Sequence, residues 1–190
     1  MTSANPKAMR ADARRNYERL LAEARAAFAD QGTTASLEEI ARRAGVGIGT
    51  LYRHFPTREA LLETLLRDRF DAQTAYAADL LTDPDPLAAL QAWSLRMAQT
   101  ATSFRGLTDT LTDALADRTS QLHHSCVAMR GGVGELVARA REAGQLAAEV
   151  TELEVLLLVN SVAWAAERSP AAGPTLERLV ELAFHGLRAR

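Results

Sequence analysis

The stretch SLEEIARRAGVGIGTLYRHF, residues 36–55, limits the possible folds of this chain more than any other. Two short amphipathic segments, from Leu37 to Arg43 and from about Ile48 to Phe55, meet at Ala44-Gly45-Val46-Gly47. Ser36 is placed to cap the first segment, and Glu39 three residues later completes a capping-box pattern. Leu37, Ile40 and Ala41 fall on one helical face. Gly45 permits the left-handed backbone that a sharp exit needs, with Val46 expected behind it as a buried plug. Leu51 and Phe55 are four apart and give the second segment an apolar side. Thr50, Tyr52, Arg53 and His54 lie on its other side. This spacing predicts a helix-turn-helix, whose second helix can enter the major groove of DNA with its early residues at base edges. Pro56 stops that helix, because the residue before a proline avoids helical angles. Thr57 then caps the next.

The surroundings agree. A helix is expected from about Asp12 to Asp30, with Tyr17, Leu20, Leu21, Ala24 and Phe28 on one face and Gly32 at its end. Lys7, Arg10, Arg14 and Arg15 form either a basic arm or a solvated tail. Residues 1–70 hold 12 Lys+Arg against 9 Asp+Glu, whereas residues 71–190 hold 10 against 15. A basic head on an acidic body suits a DNA-binding protein. The single cysteine excludes an internal disulfide framework and fits a reducing cytoplasm. No signal-peptide pattern is seen, and no apolar run is long enough to span a membrane.

The run GVGIGTLYRHFPTREAL, preceded by IARRAGV, a Gly-Thr-Thr loop and a long first helix, resembles the DNA-binding domain of TetR family transcriptional regulators over roughly residues 14–66. The resemblance implies an all-α fold of about nine helices. A three-helix helix-turn-helix domain would occupy residues 1–56, and a helical effector-binding and dimerisation domain residues 57–190. It also assigns Tyr52 and His54 to phosphate contacts. The family often has Ser or Thr where this chain has Gly47, and its common lysine is replaced by Arg58, placed to clamp a phosphate. The residues themselves suggest further contacts. Thr34 and Ser36 stand at a helix N-terminus that favours phosphate, or serve only as caps. Arg42 and Arg43 suit a helix C-terminus, and one of them, Arg43 in our reading, also faces DNA. Gly47, Ile48 and Thr50 lead the recognition helix, with Ile48 suited to a thymine methyl. Arg53 reaches base or backbone.

Beyond the head, helices are expected over Thr57–Leu81, Leu87–Phe104, Leu107–Ala116 and Thr119–Ala143. The last is bent or broken at Gly131, Gly132 and Gly134. Two more helices follow, one capped by Thr151 to Glu154 and one from Thr175 to Leu187. Residues 153–165 are apolar nearly all round, which a surface helix cannot be, so the last two helices are expected to pair with a second copy. In the resembled family, two such helices from each subunit form a four-helix interface. That family's bodies also enclose a small-molecule pocket. Phe70, Trp93, Met97, Phe104, Leu107, His123, Met129, Asn160 and Trp164 are the lining candidates, with His123 or His124, Asn160 and Thr108 as polar anchors. Ordinary core is the competing role for each. No fixed acidic or basic cluster is evident, which points to a neutral, apolar effector. His123 and Cys126 share a helical face, but two ligands do not make a metal site, and no orienting group supports catalysis. The expected protein is therefore a homodimeric DNA-binding regulator without metal, cofactor or enzymatic activity. It is expected to be a repressor on a palindromic operator, released by a small molecule. An activator or a ligand-independent repressor of the same fold is the alternative.

Overall fold

A computed structural model describes residues 6–101, 112–169 and 173–188. Among these residues it holds nine α-helices, a single 3₁₀ turn and an isolated antiparallel bridge between Leu146 and Arg188. The helices are α1 (Pro6–Gln31), α2 (Leu37–Arg43), α3 (Ile48–His54), α4 (Arg58–Leu80), α5 (Pro86–Ala101), α6 (Thr112–Ala116), α7 (Gln121–Glu142), α8 (Glu152–Arg168) and α9 (Leu176–Leu187). Two compact units are formed, one running to Leu65 and one beginning at Leu66, with α4 continuous through the division.

In the first unit, α2 packs on α1 and on α3. Leu20, Ala24 and Phe28 of α1, Ile40 and Ala41 of α2, and Leu51 of α3 are all buried. They share the core with Leu61, Leu62 and Leu65 at the start of α4. Gly32 and Gly45 take φ of +71° and +68°, so both helix exits use the left-handed backbone that glycine adopts without a Cβ penalty. Val46 is only half-buried, not the sealed plug expected from its position, and its N–H donates to the Ala41 carbonyl at 3.0 Å. α1 is already helical at Pro6, ahead of the start expected near Asp12.

In the second unit α5 is central, packing on α7, α8 and α9. Ala89, Leu90, Trp93, Ser94 and Ala98 are among its sealed residues. α7 is unbroken from Gln121 to Glu142, contrary to the bend or break expected at its glycines. The reason lies at Gly132, where an added Cβ would stand 2.9 Å from the Ala77 Cβ of α4. That glycine permits a close helix crossing and leaves the axis intact. Met129, Val133, Leu136, Val137 and Ala140 bury the inner face of α7. α8 opens on a complete capping box, in which Thr151 Oγ1 accepts from Glu154 N–H and the Glu154 carboxylate accepts from Thr151 N–H. Among the described residues, no helix is long and apolar enough to cross a membrane.

Candidate nucleic-acid interface

The approach to α2 is set by its cap. Ser36 Oγ accepts from Glu39 N–H at 3.2 Å and donates to Glu38 Oε2 at 3.0 Å. The returning half of the expected capping box is not made. Glu39 instead receives Arg42 Nε at 2.7 Å and Nη2 at 2.6 Å, and this pairing holds its carboxyl below the usual range. Arg42 is thereby committed to its own helix. Arg43 Nε pairs with Glu23 Oε2 of α1 at 2.9 Å and stays partly open to solvent. Thr34 is exposed, with Oγ1 only 3.4 Å from the Gln31 carbonyl. Arg14 pairs with Glu18, and Arg15 with Asp12, both within α1. Lys7 and Arg10 lie on the backbone of α1.

α3 begins at Gly47, which caps it with extended backbone (φ −71°, ψ 149°) and no side chain. Leu51 is fully buried and anchors the helix. Around it, Gly47, Ile48, Tyr52 and Arg53 are exposed, Tyr52 at 44%, and Thr50 is half-exposed. These residues form one open edge of a helix whose opposite side is in the core. His54 is half-buried at the far end, its ring edge-on to Tyr17 at 5.7 Å and tilted against Phe55 at 6.2 Å. Tyr17 stacks on Phe55 at 5.3 Å, so the C-terminus of α3 is held by an aromatic cluster.

Arg58 is not a free cation. Its Nη1 donates to the Thr33 carbonyl at 3.0 Å and to the Ala35 carbonyl at 2.5 Å, across the loop that leads into Ser36. Through these bonds it holds the loop that presents Thr34 and Ser36, a task besides the phosphate contact expected from the sequence. Local patterning cannot reveal this bond, because its partners are main-chain atoms more than twenty residues away.

The pocket candidates of the second unit separate into two groups. Phe70, Trp93, Met97 and Met129 are buried, and His123 is half-buried with Nδ1 2.7 Å from the Leu115 carbonyl. Asn160 and Trp164 are not in the interior. Both stand on the outer face of α8, Trp164 at 60% exposure beneath the Arg168 guanidinium, beside exposed Leu153 and Leu157. His124 is exposed as well. Phe104, Leu107 and Thr108 lie outside the described residues. One residue was missed altogether. Arg69, one turn after Leu65 and Leu66, is half-buried, with its Nε closed off from solvent and without a hydrogen-bond partner.

A two-helix unit turning at a left-handed glycine, with its second helix anchored by a buried leucine and open along one edge, defines a DNA-binding protein of the helix-turn-helix class. Residues 20–65 match the bacterial regulatory proteins of the tetR family, and residues 85–189 match the C-terminal domain of SbtR-like transcriptional regulators. Among solved structures, a TetR transcriptional regulator from Streptomyces coelicolor shares 34% identity, with 90% of this chain and 98% of the other covered at a TM-score of 0.70. A TetR regulatory protein from Mycobacterium vanbaalenii shares 35%, covering 95% and 99% at a TM-score of 0.69. A ketosteroid transcriptional regulator of Mycobacterium tuberculosis, at 22% identity and a TM-score of 0.63 over 93% and 96%, shares the fold. No curated protein matches significantly. The chain belongs to the TetR family of transcriptional regulators, which are DNA-binding proteins rather than enzymes.

Proposed function

We propose that this protein is a homodimeric repressor that reads a palindromic operator in the cytoplasm and leaves it when a small, largely apolar effector occupies the body. The observation that carries the reading is the open edge of α3 opposite its buried Leu51. On it, Gly47, Ile48 and Thr50 face base edges, while Tyr52, Arg53 and His54 reach base or phosphate. Thr34 and Ser36 meet the backbone at the start of α2, and Arg43 supplies charge nearby. Arg58 supports this surface by fixing the loop before Ser36. The head is assigned to residues 1–56 and the effector-binding and dimerisation body to 57–190.

Dimerisation is supported by α8 and α9. Val155, Leu156, Val159 and Ala163 of α8 are buried, while Leu153, Leu157 and Trp164 are exposed on its other side, as is Leu182 of α9. Large apolar side chains clustered in water mark an interaction surface. Two heads read two half-sites, which multiplies specificity. An effector that binds better to a dimer with unsuitable head spacing shifts the population away from the DNA-competent state. Helix α4, shared by head and body, is the natural lever. Footprinting on the DNA upstream of the protein's own gene tests the reading. A symmetric protected site supports it, and uniform low-affinity coating of all sequences refutes it.

A further inference from the structure

Helix α4 carries a half-buried cation, Arg69, into the second unit, and among the described residues no acidic side chain pairs with it. Arg69 Nη2 lies 3.4 Å from the Met97 carbonyl, long for a charged donor, and 3.5 Å from Met97 Sδ, a weak acceptor. Its Nε is buried and has no partner. Burial pushes the guanidinium down to about 10, which leaves it charged at neutral pH. One turn further, Gln73 is 1% exposed. Its Nε2 reaches Thr100 Oγ1 at only 3.5 Å, and its Oε1 accepts from nothing. The backbone beneath is fixed, since Trp93 Nε1 donates to the Gln73 carbonyl at 3.1 Å.

A buried guanidinium is costly unless it is paired and hydrogen-bonded. The Met97 carbonyl, which also accepts from Thr100 Oγ1 at 3.0 Å, offsets only part of that cost. The open valence of Arg69 and Gln73, two turns of one helix face, fits a ligand that brings its own negative charge. The neighbouring Phe70, Trp93 and Met97 side chains are apolar.

We propose that Arg69 and Gln73 form the polar end of the effector site, and that the effector is an amphiphilic acid whose carboxylate is taken by the Arg69 guanidinium beside the Gln73 amide. This rests on the reading of the body as an effector-binding domain. Calorimetric titration of the full chain, without DNA, tests it with octanoate against octanamide and phenylacetate against phenylacetamide. At least one acid is expected to bind roughly tenfold or more tighter than its amide, as a charge-assisted hydrogen bond implies, and Arg69→Gln is expected to abolish the preference. Equal affinities, no binding by either acid, or a preference that survives Arg69→Gln overturns the proposal. Thermal unfolding of ligand-free Arg69→Met gives a second reading. A rise in midpoint is expected from removing a charge without an ion-pair partner, and a fall marks Arg69 as a structural residue and overturns the site. Operator release measured separately keeps the two readings apart. A neutral compound that releases wild type and Arg69→Gln alike sinks only the acid, and acid binding without release sinks only the effector mechanism.

Discussion

At the scale of single residues, the head depends on groups that act through backbone geometry as much as through contact with DNA. Gly45 sits at φ +68°, where a Cβ is strained, although the nearest outside atom, Arg19 Nη1, is 3.7 Å away. Gly45→Ala is therefore expected to cost about 1–2 kcal/mol from backbone strain alone, read as a lower urea midpoint with an unchanged slope. In the proposed interface, Thr50 and Arg58 separate readout from support. Thr50→Ala is expected to lower affinity for the operator while leaving random DNA unaffected. Arg58→Ala releases the Thr33 and Ala35 carbonyls and is expected to weaken both, with a salt dependence near that of wild type. A fall of about one in the slope of log K against log salt would place Arg58 on a phosphate instead. The open edge of α3 was legible in the sequence because a period of four around Leu51 fixes which side is buried. Arg69 was not legible. An arginine in the run LLRDRF reads as a solvated residue, and only the path of α5 decides that it is covered.

At the scale of elements, local pattern identifies helices well and their internal details poorly. Ser36-x-x-Glu39 and Thr151-x-x-Glu154 carry the same capping-box signature, yet only the second closes. The difference is Arg42, three residues after Glu39, which takes the carboxylate away, whereas Glu154 has no such competitor at its i+3 position, Leu157. Bonds from Thr151 N–H and then from its hydroxyl hold the Glu154 carboxyl below its ordinary value. A depressed folded value means that its contribution is present above the unfolded carboxylate range and is lost as pH falls through the folded value. The stability difference between wild type and Glu154→Gln should thus be visible in thermal melts at pH 7 and shrink below about pH 4. The glycines of α7 make a sharper case. Sequence alone reads Gly131, Gly132 and Gly134 as equivalent weak points. In the folded chain a Cβ at 131 meets nothing within 4 Å, while one at 132 collides with Ala77. Gly131→Ala should stabilise by up to about 1 kcal/mol through helix propensity. Gly132→Ala should destabilise by about 1–3 kcal/mol through overpacking, net of that gain. Opposite signs at adjacent positions, measured by chemical denaturation, would establish that α7 keeps Gly132 for its crossing with α4.

At the scale of the whole molecule, one chain presents a single α3, and a helix-turn-helix head alone reads too few base pairs to select an operator. The proposed second head would be attached through α8. α8 buries one stripe of apolar side chains and leaves another, Leu153, Leu157 and Trp164, in water, with Leu157 at 59% and Trp164 at 60% exposure. Its length does not explain this, because a helix serving only its own core would carry polar residues at those positions. Burying such side chains contributes roughly 1.5–3 kcal/mol each, enough for a few of them to hold two copies together. Leu157→Glu combined with Trp164→Glu places like charges on both copies of a two-fold interface, where each patch faces its own kind. The double variant should keep its helical circular dichroism, because neither side chain belongs to the core of its own subunit, and its thermal midpoint should fall and lose its dependence on protein concentration. Sedimentation is expected to report a dimer for wild type and a monomer for the double variant. Operator affinity should fall by a factor on the order of 10² or more, since the second half-site no longer binds within one assembly, while binding to a single half-site is unchanged. A double variant that remains dimeric would move the interface away from α8, and one that unfolds would show these residues to be core.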